Sequence, residues 1–150
     1  MTEISLLRLY VIRAFFLLLF LERSYRALPA LIAPAAPLGV WDGVAYSFWG
    51  ALALLALIGV RYPLRMVPVL LIFLLYKLLW LLGVALPLWL AGGVFSPLMT
   101  TFTWAMAVGF ALDLLVIPWG YVFANYVSKP GDRWVVRRAA AAPAAGIANA

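Results

Sequence analysis

The chain is predicted to be all-α, an integral membrane four-helix bundle with both termini in the cytoplasm, and three observations predict it. Its 150 residues are 68% hydrophobic and 11% charged, with a mean hydropathy of +1.10, too apolar for a soluble domain of this length. Four apolar stretches approach the roughly 20 residues that a helix needs to cross a bilayer. Basic residues collect at Arg61 and Arg65 and again at Lys129, Arg133, Arg137 and Arg138. An even number of spans puts those two groups on one side, the cytoplasmic one.

The first span is read from about Ile4 to Leu21; Arg8 and Arg13 interrupt it, leaving Ala14 to Leu21 as its unbroken apolar core. A cleaved signal peptide is the rival reading, with small residues at Ala27 and Ala30. Arg23 and Arg26, just past the apolar run, argue against cleavage. The connector from Glu22 to Gly43 carries Pro29, Pro34 and Pro37 among Ala and Leu, which suits the membrane interface better than water. Helix is expected to continue through Arg26, helped by a Glu22 and Arg26 pair, until Pro29 disfavours helical backbone at Leu28.

The second span is Val44 to Val60, with Gly43, Ser47 and Ala51 forming a stripe of small residues. The third runs from Val67 to Leu90, and a turn at Gly92, Gly93 and Pro97 leads to the fourth, Phe102 to about Tyr126. There Ala105, Gly109 and Asp113 fall at i, i+4 and i+8, so that spans two and four are expected to pack through their small faces. Pro118 should kink span four and free the carbonyl of Leu114 for Lys77 or a water. Trp41, Trp89 and Trp104 fall at the outer ends, and Tyr62, Tyr126 and Trp134 at the inner ends, where half-polar rings favour the head-group level. Trp49 and Trp80 sit deeper, between helices. Residues 1–138 thus form a single four-span transmembrane domain. Within it Arg133, Trp134, Arg137 and Arg138 make an interfacial patch for anionic lipid. The Ala-rich tail, 139–150, is expected to be disordered.

Two charges stand deep inside the most apolar stretches, Lys77 in span three and Asp113 in span four. Counted back from the Gly92 turn at 1.5 Å per residue, each lies roughly 18 to 20 Å down its helix. Both then sit near the bilayer midplane, where an ionisable side chain costs at least about 2.5 kcal/mol. Pairing with each other is the economical solution. Arg13, midway along span one, is expected near them as a third member carrying an unmatched positive charge; Arg8 snorkels to the cytoplasmic interface. The pair is open to three roles: fixing helix register, binding or transporting a ligand, or contacting another membrane protein.

Several activities are excluded by residue type. With no Cys and no His, the usual ligands for zinc, iron–sulfur clusters and haem are missing, so no cofactor and no metal site are expected. A Ser-His-Asp site is ruled out for the same reason. Gly92 and Gly93 lack the spacing of a phosphate loop, and Asp113 is the only mid-membrane acid, so paired carboxylates are absent. No catalytic residue is assigned. The net charge of +6 is spread over span ends rather than gathered on one face, which speaks for membrane lipids and against nucleic acid.

The Leu6-Leu7-Arg8-Leu9 start, a small-residue-rich second span closing on Gly59 to Arg65, and four helices in so short a chain resemble the DoxX-like bacterial membrane proteins. Those proteins place a Gly or His and then a Lys near the end of the first helix, where this chain has Glu22, Arg23 and Ser24, so no site residue is carried over. The resemblance implies a bundle in the bacterial inner (plasma) membrane with an accessory link to respiratory or redox systems. The reading favoured here is an accessory or assembly protein that meets a membrane protein partner or further copies of itself. The alternatives are a small homo-oligomeric, anion-preferring transporter or channel, and a membrane enzyme acting on lipid or quinone through Glu22, Arg23, Arg26 and Asp42 at head-group depth.

Overall fold

The computed structural model describes residues 4–130, and among these every regular element is helical. The elements are α1 (Leu6–Ile32), α2 (Val40–Arg61), α3 (Val67–Leu90), α4 (Pro97–Val116) and a short α5 (Trp119–Val122) that continues as a π-helical turn, Phe123–Val127. Three of them, α2, α3 and α4, are long and apolar enough to cross a membrane. Large apolar side chains such as Leu7, Leu18, Leu54, Leu79, Trp89 and Leu115 cover the outside, as suits a multi-pass membrane protein and not a soluble one. Arg133, Trp134, Arg137, Arg138 and the tail 139–150 lie outside the described residues.

Helix α1 starts at Ser5, whose hydroxyl accepts from the Arg8 amide, and runs through Pro29 to Ile32. The expected break before Pro29 does not occur. Proline disfavours helix at the preceding residue only as a local bias, and tertiary contact outweighs it here: Ala27 is fully buried, and Leu31 and Ala27 lie over Gly50 of α2. Only residues 33–39 then join α1 to α2, so most of the expected interfacial connector is helix.

Helix α2 packs mainly on α1, and α4 mainly on α3. This corrects the expected pairing of spans two and four. Gly43 has open space where a side chain would be, and Ser47 and Ala51 are exposed. The buried face of α2 is instead Leu52, Ala53, Ala56 and Gly59, roughly 170° around the helix from that stripe. Gly59 decides the matter, because a side chain there would overlap the Phe16 ring of α1. In a helix apolar on every side a small-residue stripe does not by itself say which face is inside.

Helix α3 widens into a π-helical turn at Leu81–Ala85, where the Leu86 amide reaches back to the Leu81 carbonyl. Pro87 is the cause: it has no amide to give the preceding turn, and its ring crowds that turn. The turn to α4 falls where the sequence places it. Gly92 adopts φ +68, open to glycine without strain, and Ser96 caps α4 by accepting from the Met99 amide at 3.2 Å.

Pro118 does more than kink span four. Helix α4 stops at Val116, Ile117 is extended, and α5 begins at Trp119. The carbonyls freed by this break find donors: Trp119 Nε1 donates to Leu114 at 2.8 Å, and Arg8 Nη2 donates to Ile117 at 3.2 Å. The Leu114 carbonyl therefore serves Trp119, not Lys77, and Arg8 ties α1 to the break. The core of Ile12, Phe16, Val67, Leu70, Phe73 and Ile117 fills this half of the molecule. Clefts lie at both ends of the bundle, one beside Ile4, Leu64 and Tyr121 and one beside Trp80 and Met99.

Candidate functional site

Phe73 and Lys77 lie one turn apart on α3, and Gly109 and Asp113 one turn apart on α4. Lys77 Nζ donates to Asp113 Oδ2 at 2.6 Å, with Lys77 only 4% exposed and Asp113 fully buried. Gly109 makes this geometry available: a Cβ there would stand 2.7 Å from Lys77 Cε and 3.2 Å from Cδ, so the lysine stem lies in the notch that the glycine leaves. The ammonium also stands 5.3 Å from the Phe73 ring centre. The second carboxylate oxygen, Oδ1, is buried without a hydrogen-bond partner.

Arg13 does not join the pair. Its guanidinium lies against Tyr10, 5.5 Å from the ring centre, and its buried Nε has no partner. The cation beside Lys77 is Arg23 instead, 5% exposed and held 5.4 to 5.6 Å from the ring centres of Trp49, Phe73 and Tyr76. Each such contact is worth about 0.5 to 2 kcal/mol, most where water is excluded. Glu22 Oε2 lies 2.9 Å from Arg23 Nε, yet off the N–H direction, so that Nε makes no hydrogen bond. Neighbours at i, i+1 point to different sides of a helix, which is why the contact is badly aligned. Glu22 is thus drawn to Arg23 and not, as expected, to Arg26.

Arg23 was legible. Ile12, Phe16, Leu19, Arg23 and Ala27 recur at helical spacing and are all buried, so the arginine continues the inward stripe of α1. Ending span one at Leu21 hid it. With Arg23 and Glu22 counted beside Lys77 and Asp113, the charges come as two pairs, and the unmatched positive charge expected from Arg13 is absent from this cluster.

A cavity of about 200 Å³ adjoins these groups, lined by Leu19, Glu22, Arg23, Lys77, Met106 and Gly109 among others. A second cleft of about 420 Å³ is walled by Trp49, Tyr76, Trp80, Met99 and Phe102. Trp80 meets Phe102 edge-on at 4.7 Å, and its buried Nε1 has no partner. Ala105 borders the first cavity. Among the described residues no group of three or more carboxylates gathers as metal ligands would. A sealed ion pair beside apolar clefts can hold helices together and bind.

No family model, no curated protein and no solved structure matches this chain.

Proposed function

We propose that the chain is a multi-pass accessory or assembly protein of the bacterial inner membrane, acting through contacts made within the bilayer. On this reading α1 is a fourth crossing and both termini face the cytoplasm, with Arg61 and Arg65 on the same side as the C-terminal basic residues. The DoxX-like layout points the same way. The observation that carries the proposal is the closure of the Lys77 and Asp113 pair, at 2.6 Å with the carboxylate fully buried. A transported ion needs a site that it can enter and leave; these charges are engaged with each other and fix α4 on α3. What remains to meet partners is the apolar outer surface.

The test is purification of a tagged chain in gentle detergent, followed by native mass spectrometry and identification of everything that co-purifies. A stoichiometric membrane protein partner is the expected result. A clean homo-oligomer that catalyses ion flux in liposomes would overturn the accessory role in favour of transport.

A further inference from the structure

Two buried cations line the cavity of about 200 Å³, Arg23 and Lys77, which are 5% and 4% exposed. Both stand against one ring, 5.6 and 5.3 Å from the centre of Phe73. Arg23 Nε is buried without a hydrogen-bond partner. Lys77 has three N–H donors and gives one to Asp113. A buried donor left without an acceptor is costly, more so on a charged group, so this cavity favours an occupant that brings an acceptor.

The carboxylate that faces Arg23 is replaceable. Glu22 Oε2 meets Nε off the N–H direction, and the Glu22 side chain is 46% exposed. It also borders an outer groove together with Arg26. Arg26 is one turn further along α1, at the i, i+4 spacing of a helical ion pair. Glu22 thus stands between two arginines, and a second carboxylate entering the cavity takes over Arg23 while Glu22 turns to Arg26. One carboxylate replaces another, so no unmatched charge is left in the apolar interior, the costly case.

Access and size define the rest of the ligand. Helix α1 packs mainly on α2 and meets α4 only sparsely. The rim residues Leu18 of α1 and Leu112 of α4 are exposed, so the cavity opens sideways between these two helices. Its volume is below the roughly 300 to 1,000 Å³ of ordinary ligand sites, which suits a carboxylate with the first few carbons of one chain and leaves the remainder outside. Phe15, Leu19 and Met106 offer that chain an apolar wall. We infer that this cavity binds the head of a single-chain carboxylic amphiphile, with Arg23 as its anchor, Lys77 as the second donor and Glu22 as the group it displaces. Ligand binding of this kind goes beyond the accessory role, and it is tested without reference to any partner.

The experiment uses the full chain in nanodiscs of zwitterionic lipid, with empty nanodiscs as the blank. Decanoate, decanol and dioctanoyl phosphatidylserine are titrated by calorimetry. Decanoate is expected to bind saturably and about tenfold more tightly than decanol, the margin of one hydrogen bond between charged groups. Phosphatidylserine carries its carboxylate on a bulky head and is expected to bind more weakly than decanoate. Arg23→Met should raise the decanoate Kd by about tenfold. Glu22→Gln should lower it by about fivefold, because the competing charge is gone. Arg26→Gln should raise it by about twofold, because Glu22 then stays on Arg23. Glu22 and Arg26 are exposed, so a folding defect in the Arg23 variant leaves the question answerable. No saturable decanoate binding, decanol or phosphatidylserine binding as tightly as decanoate, or a Kd that does not fall in Glu22→Gln would each overturn the inference.

Discussion

Cutting the Lys77 and Asp113 pair from its two sides should give unequal results. Asp113 is fully buried and already has one oxygen without a partner, so Lys77→Met strands a carboxylate that has no other side-chain hydrogen bond. Breaking a buried pair from one side costs about 3 to 5 kcal/mol, which corresponds to roughly 10 °C in a chain of this size. Asp113→Leu strands the ammonium instead, on a flexible stem that borders the same cavity as Glu22. A second carboxylate for Lys77 reduces the loss to about 1 to 3 kcal/mol, the range for an unmet buried hydrogen-bonding group. The double variant loses both charges together and should fall within about 1 to 2 kcal/mol of the parent. Thermal unfolding of the four proteins in one detergent, followed by tryptophan fluorescence, gives the coupling energy. Additive single losses, or single variants as stable as the parent, would refute a pair that matters to the fold.

Three further expectations rest on particular contacts. Gly109→Ala places a Cβ 2.7 Å from Lys77 Cε and should lower thermal stability by about 1 to 3 kcal/mol, whereas Gly83→Ala, which meets open space, should change it by less than about 0.5 kcal/mol; equal effects would remove the notch. Gly59→Ala, against the Phe16 ring, should destabilise while Gly43→Ala should not, and the reverse order in the same melting assay would restore the outward stripe as the packing face. Trp119→Phe deletes the donor to the Leu114 carbonyl and should cost about 1 kcal/mol, seen also as faster amide exchange around the Pro118 break; exchange identical to the parent would show that bond to be without effect.

The parts of this molecule that sequence made legible are those set by chemistry too costly to ignore. Lys77 and Asp113 announce each other because an unpaired charge at that depth is expensive, and their pairing is in the structure. The Gly92 turn is legible because the backbone there needs a positive φ. What failed to show was decided by packing between helices. Pro29 reads locally as a stop, yet the burial of Ala27 and the fit of Leu31 over Gly50 carry the helix past it. The stripe of Gly43, Ser47 and Ala51 reads as an interface, yet only the shape of Phe16 at Gly59 tells which side of α2 faces inward. Pro87 lies inside a stretch read as one unbroken span, and the π-helical turn just before it is a local rearrangement that apolar periodicity does not register.

On the proposed reading of α1 as a fourth crossing, the same dependence bears on how it enters the membrane. Its 27 residues include Arg8, Arg13, Glu22, Arg23 and Arg26, and it is not among the helices apolar enough to cross alone. An arginine at the centre of a span costs about 2.5 to 3.5 kcal/mol on insertion. The groups that offset this for Arg23 are Trp49 of α2 and Phe73 and Tyr76 of α3, at about 0.5 to 2 kcal/mol per ring. The acceptor for Arg8 is Ile117, beyond the end of α4. None of these exists until the later helices are in place. The first helix is therefore held chiefly by α2, and Arg23 and Arg8 add contacts to Phe73 and Tyr76 of α3 and to the Ile117 carbonyl.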